Sequence, residues 1–84
     1  MKNKVLVEII VPNIEEKYDI YIPVNKKIGN LISLLSKTIN ELTGGYYQNE
    51  EYRTLYNGLT GEYYNTNALI RETDIRNGSK LILM

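Results

Sequence analysis

The chain has 84 residues, and its 10 Lys and Arg residues balance its 10 Asp and Glu residues, so the formal net charge is zero. This balance gives no basis for binding nucleic acid or an anionic membrane surface, and no apolar stretch is long enough to insert into a membrane. The absence of Cys and His excludes disulfides, thiolate nucleophiles, imidazole bases and the usual zinc ligands. We therefore expect a single intracellular domain over residues 1–84, without metal, cofactor or catalytic site.

The first part of the chain has the pattern of a β-hairpin. Every odd-numbered residue from 5 to 11 is Val or Ile, whereas the even positions include Glu8, so one strand face is fully apolar and the other is mixed. The polar residues 13–17 predict the connection, and residues 18–24 alternate again as a second strand. Pro23 cannot donate to a ladder, which indicates an edge strand.

An amphipathic α-helix follows, because the apolar spacing changes to the helical period. Its predicted buried stripe consists of Ile28, Leu31, Ile32, Leu35, Ile39 and Leu42. Ser36 falls on the predicted outer side, and Leu34 lies near the margin of the stripe. Asn25 is the candidate N-terminal cap, and Gly44 stands where a helix ends in a left-handed residue.

The remaining elements are short. A strand is predicted around Leu55, followed by a glycine-containing turn, another short strand at 62–65, the turn at Asn77–Gly78 and a final strand at 80–84. The order predicts an α+β β-grasp fold, ββαββ(β), in which a mixed sheet packs on one helix. In this arrangement the first and last strands pair side by side in the middle of the sheet.

Three segments of the second half carry a family resemblance: RTLYNG (53–58), ALIRETDI (68–75) and NGSKLILM (77–84). Together with the element order, they resemble ubiquitin-like domains over nearly the whole chain. They are most similar to the small EsaB/YukD-type proteins that accompany bacterial type VII (WXG100) secretion. The resemblance implies a non-enzymatic, cytoplasmic accessory or regulatory component in a Gram-positive bacterium, with the cytosolic part of the secretion membrane ATPase complex as its partner.

The alternative function is that of a covalent modifier or sulfur carrier. Such a protein needs a C-terminal Gly-Gly, because only glycine backbone is slender enough to enter the activating enzyme. The one Gly-Gly pair here is Gly44–Gly45, which is better explained as a helix stop. EsaB/YukD-type proteins also lack the conjugation tail. The start at Met1 and the stop at Met84 lead us to expect a complete small protein rather than an excised domain.

No residue pattern indicates an enzyme. The adjacent acids Glu15–Glu16 and Glu50–Glu51 are typical of solvated turns, and nothing in the sequence would raise their pKa values for acid–base catalysis. Residues 58–61 lack the Lys-Ser/Thr of a phosphate loop. Glu72 and Asp74 supply too few carboxylates for calcium.

Six of the eight tyrosines cluster between the helix end and the predicted fourth strand: Tyr46, Tyr47, Tyr52, Tyr56, Tyr63 and Tyr64. Tyrosine is enriched at protein–protein interfaces, but these rings could equally complete a core edge that lacks Phe. The cluster also makes a weak homodimer conceivable.

The exposed sheet face is the usual contact surface of ubiquitin-like domains, and Glu8 marks that face on the first strand. The register around Leu55 does not follow from the sequence, so either Leu55 or its neighbours Thr54 and Tyr56 face outward. On the last strand, either Ile82 or its neighbours Leu81 and Leu83 lie on this face. The predicted interaction surface consists of Leu6, Ile10, Leu55, Tyr56, Tyr63 and Ile82.

Overall fold

The computed structural model of the protein describes residues 3–47 and 53–84. The strands are β1 (Lys4–Val11), β2 (Glu16–Pro23), β3 (Leu55–Asn57) and β4 (Lys80–Leu83), and the α-helix is α1 (Ile28–Leu42). Single 3₁₀ turns lie at Pro12–Ile14 and Ile70–Glu72. No helix in these two ranges is long and apolar enough to cross a membrane.

The sheet has the strand order β2-β1-β4-β3. β1 pairs antiparallel with β2 and parallel with β4, and β3 pairs antiparallel with β4. The first and last strands therefore lie in the middle, as predicted, and β2 with its Pro23 is an edge strand. The strand predicted at 62–65 is reduced to a single bridge between Tyr56 and Tyr63.

Helix α1 covers one face of the sheet, which we call the inner face. Among the described residues, the buried hydrophobic side chains are aliphatic except for one tyrosine: Val7, Ile9, Val11, Ile22, Ile28, Leu31, Ile32, Leu35, Ile39, Tyr47, Leu55, Ile70, Ile75, Leu81 and Leu83. The odd-numbered residues of β1 lie on this face, as their alternation predicts.

The predicted helix stripe is correct at five of its positions and wrong at its end. Leu42 is 61% exposed. Helical periodicity gives the direction of each side chain around the helix axis, but it does not show at which residue the sheet stops covering the helix. Ser36 was expected on the outer side but is buried. It lies one turn after the buried Ile32, on the same side of the helix.

The two ends of α1 are held differently. Asn25 is not the cap: the first helical N–H groups, of Ile28 and Gly29, donate to the carbonyls of Ala68 and Thr66, each at 2.9 Å. Tertiary contacts thus replace a local cap. At the other end Gly44 and Gly45 have φ values of 65° and 91°, which confirms the predicted helix stop.

Candidate interaction surface on the outer sheet face

The sheet face opposite α1, the outer face, carries five of the six predicted surface residues or places them at its border. Leu6, Ile10, Tyr56 and Ile82 are half-buried or exposed on it. Leu55 is the exception, because it is fully buried and pairs with the buried Leu83 on the inner face. Since side chains alternate along a strand, Leu55 and Tyr56 cannot share a face.

Strand register aligns four of these residues in one row across the sheet. Ile10 lies opposite Ile82, Ile82 lies opposite Tyr56, and Tyr56 bridges to Tyr63. We call these four residues the apolar row. Neighbouring side chains in such a row lie about 5 Å apart, so the row forms a continuous apolar strip that ends on the 73% exposed ring of Tyr63.

A charged row runs beside the apolar row. Glu8 lies opposite Asp19 on β2 and opposite Lys80 on β4. Lys17 approaches Glu8, with 3.9 Å between Nζ and Oε1. The charged row separates Leu6 from the apolar row, so the structure does not bring all the predicted surface residues together.

Leu6 belongs to a second apolar pair. It lies opposite Tyr21, which is 56% exposed and which the sequence prediction omitted. The alternation of β2 already puts Tyr21 on the face of Asp19, so this signal was present in the sequence. A depression of about 510 Å³ lies at this end of the outer face, with Leu6, Asp19, Tyr21, Asn77 and Lys80 among its lining residues.

The tyrosine cluster divides between core and surface. Tyr47 is buried, and the guanidinium of Arg53 stacks on its ring with 3.8 Å between Cζ and the ring centroid. Tyr46 is 76% exposed and lies in the segment after α1, which is not part of a strand. Tyr52, like Glu50–Glu51, lies outside the described residues. Some of these tyrosine rings therefore belong to the core and others lie on the surface.

Tyr64 and Asp74 hold the segment that carries Tyr63. The hydroxyl of Tyr64 donates to Asp74 at 2.7 Å, the Asn57 amide donates to the same carboxylate at 3.0 Å, and the Tyr64 N–H donates to the Leu55 carbonyl at 2.9 Å. Burial, with a further contribution from the hydrogen bond to Asp74, raises the pKa of Tyr64 above its ordinary value. The neutral phenol is therefore the form that the fold stabilises.

The two acids considered for a cation have structural partners instead. Asp74 accepts from Tyr64 and Asn57, and Glu72 accepts from the Leu69 N–H at 3.3 Å. In the described ranges no group of three acidic side chains comes together as a metal site would require. The chemistry that this surface offers is apolar contact bordered by charge.

No protein-family model matches the chain, and no curated protein matches it. Solved structures do resemble it. The EccD5 ubiquitin-like domain from Mycobacterium xenopi is 17% identical, with a TM-score of 0.78 over 96% of this chain and 92% of that one. The N-terminal ubiquitin-like domain of the 4931431F19Rik protein is 15% identical, with a TM-score of 0.71 over 98% of this chain and 74% of that one.

A chain of the MycP5-free ESX-5 inner membrane complex is also similar, at 15% identity and a TM-score of 0.80. The match covers 98% of this chain but only 21% of that chain, so this protein corresponds to about a fifth of the larger polypeptide. At these identities the shared property is the backbone arrangement. The chain has the β-grasp fold of ubiquitin-like domains.

Proposed function

We propose that this chain is a non-enzymatic, ubiquitin-like protein-binding module, formed as one domain over residues 1–84, and that its outer sheet face is the binding surface. The observation that carries the proposal is the apolar row, in which Ile10, Ile82, Tyr56 and Tyr63 line up across the strands. Apolar and aromatic side chains surrounded by charged residues are the usual composition of a protein interface.

We further propose that the chain has a role in type VII secretion. The motifs in 53–84 resemble EsaB/YukD-type proteins, and the structural similarity to the EccD5 domain and to the ESX-5 membrane complex supports this direction. We infer a cytoplasmic accessory or regulatory component in a Gram-positive bacterium. Its proposed partner is the cytosolic part of the secretion membrane ATPase complex.

Conjugation to targets is not part of the proposal. The Gly-Gly pair of this sequence ends α1, where the Gly45 N–H donates to the Asn40 carbonyl at 2.8 Å. A pair with that structural role does not act as an extended tail.

The experiment places a photo-reactive phenylalanine analogue at Tyr63 and, in a matched control, at Tyr46. These rings are 73% and 76% exposed, so accessibility alone gives both probes the same chance of reaction. In the native host we expect the Tyr63 probe to cross-link to the cytosolic part of the ATPase complex and the Tyr46 probe not to. Equal cross-linking from both positions, or none from Tyr63, would contradict the proposed surface.

Two substitutions test the same surface without a cross-linker. Tyr56→Ala interrupts the apolar row between Ile82 and Tyr63, and Ile10→Glu places a carboxylate in the row, opposite Lys17. Both should weaken binding at least about tenfold, which corresponds to a loss of about 1.4 kcal/mol, while the thermal transition changes little. Tyr46→Ala is the control. Boiling-resistant bands of higher mass on the tagged chain would instead indicate a covalent modifier.

A further inference from the structure

The two edges of the sheet differ in how their backbone groups are bonded. Beyond β3, the Asn57 N–H donates to the Glu62 carbonyl at 2.8 Å and the Leu55 carbonyl accepts from Tyr64 at 2.9 Å. That edge is therefore covered by the chain itself. The opposite edge is β2, a strand of 8 residues.

The hydrogen-bond pattern shows which β2 residues face outward. The Val24 N–H donates to the Asn3 carbonyl at 3.0 Å, in register with the β1–β2 pairs. In an antiparallel pair, every second residue directs its N–H and C=O groups to the same neighbouring strand. The even-numbered residues of β2 therefore bond β1, as Val24 does. The N–H and C=O groups of Lys17, Asp19 and Tyr21 point away from β1. In residues 3–47 and 53–84, no backbone group bonds them on that side.

The negative charge of Asp19 favours a cationic group on the open side of β2. Asp19 lies opposite Glu8, and like charges in that position repel each other. The ion pair found in the described ranges joins Glu8 to Lys17 at 3.9 Å, and within those ranges no ion pair involves the Asp19 carboxylate. The open side of β2 is the place where a positive group would offset the repulsion.

We propose that the occupant of this edge is a second copy of the same chain, joined through antiparallel β2–β2 pairing around a two-fold axis at Tyr18. In that register Lys17 of each copy lies opposite Asp19 of the other, and both residues direct their N–H and C=O groups outward. The charge pair is thereby formed once on each side of the axis. The two half-buried Tyr18 rings meet on the inner face as a cross-strand aromatic pair.

The neighbouring registers are less favourable. An axis at Asp19 would place the two Asp19 carboxylates opposite each other. An axis at Ile20 would pair Asp19 with Tyr21 and leave Lys17 opposite Pro23, so no opposite charges would meet. The pairing is short, and we expect a dissociation constant of about 0.1–1 mM because the buried area is well below that of a stable interface.

The dimer uses the edge of the sheet and not the apolar row, so it is independent of the proposed function. The test is a charge exchange measured by sedimentation equilibrium. Lys17→Glu and Asp19→Lys should each weaken self-association at least about tenfold, and the double variant should restore it. The double variant should not pair with the wild-type chain, because like charges would then meet at both positions.

Concentration-dependent amide shifts in NMR spectra locate the contact. We expect the shifts at residues 16–21, with the Tyr56 and Ile82 signals unchanged. A chain that stays monomeric to about 1 mM, a double variant that fails to restore the dimer, or shifts centred on the apolar row would each overturn the proposal. The thermal transition of each variant serves as the folding control.

Discussion

At the residue scale, Ser36 is an unusual member of the core. Its side chain is buried on α1, and its hydroxyl has no hydrogen-bond partner among the described residues. Burying an unsatisfied hydroxyl is unfavourable. Ser36→Ala should therefore leave the free energy of unfolding unchanged or raise it by about 1 kcal/mol, as measured by urea denaturation. The control is Ser33→Ala on the exposed side, and a loss of stability at Ser36 would show that its hydroxyl is satisfied in solution.

The helix stripe provides a second prediction at this scale. Leu35 is buried and Leu42 is exposed, although both fit the same helical period. Leu35→Ala should lower the free energy of unfolding by about 2–5 kcal/mol, the usual range for a buried Leu, whereas Leu42→Ala should change it by less than about 0.5 kcal/mol. Equal losses at the two positions would mean that the last turn of α1 is covered.

At the element scale, the Tyr64–Asp74 hydrogen bond joins the segment after β3 to the segment before β4. The pKa of Tyr64 is raised in the folded protein, so the stabilisation is complete below the unfolded tyrosine pKa of about 10 and is lost as the pH rises above it. Tyr64→Phe removes this hydrogen bond. Its stability difference from wild type should therefore be largest at neutral pH and should shrink above pH of about 10.

Denaturation curves of wild type and Tyr64→Phe, measured between neutral and alkaline pH, test this dependence. Tyr63→Phe is the matched control, since its ring is exposed. A stability difference that stays constant with pH would contradict the assignment of the neutral phenol to the fold.

At the scale of the whole molecule, the strand order predicts how amide hydrogen exchange is distributed. The amides of Ile9 and Leu81 lie in the two central strands and are expected to exchange slowest, through global unfolding. In dilute solution the outward amides of Lys17, Asp19 and Tyr21 should exchange fast, because no described group bonds them. NMR-detected exchange measures both sets, and slow exchange at the odd β2 positions in a confirmed monomer would contradict the open edge.

The residues of the outer sheet face could be predicted from the sequence only in part. Alternation along β1 correctly placed Leu6 and Ile10 opposite the core face. It failed at Leu55, because β3 has only 3 residues and so short a strand shows no alternation. The sequence prediction also placed Leu6 in one surface with the apolar row, although the charged row lies between them. The alignment of Ile10, Ile82 and Tyr56 depends on pairings between strands that are distant in the chain.

The sequence by itself determined the type and order of the elements, since periods of 2 and 3.6 residues follow from backbone geometry alone. It also determined the β-grasp topology, the edge position of β2 through Pro23, and the helix stop at Gly44. Only the tertiary structure decided that Ser36 is buried, that Leu42 is exposed and that Tyr47 belongs to the core. Burial depends on what another segment covers, and cross-strand register depends on contacts between residues far apart in sequence, so neither is a local property of the chain.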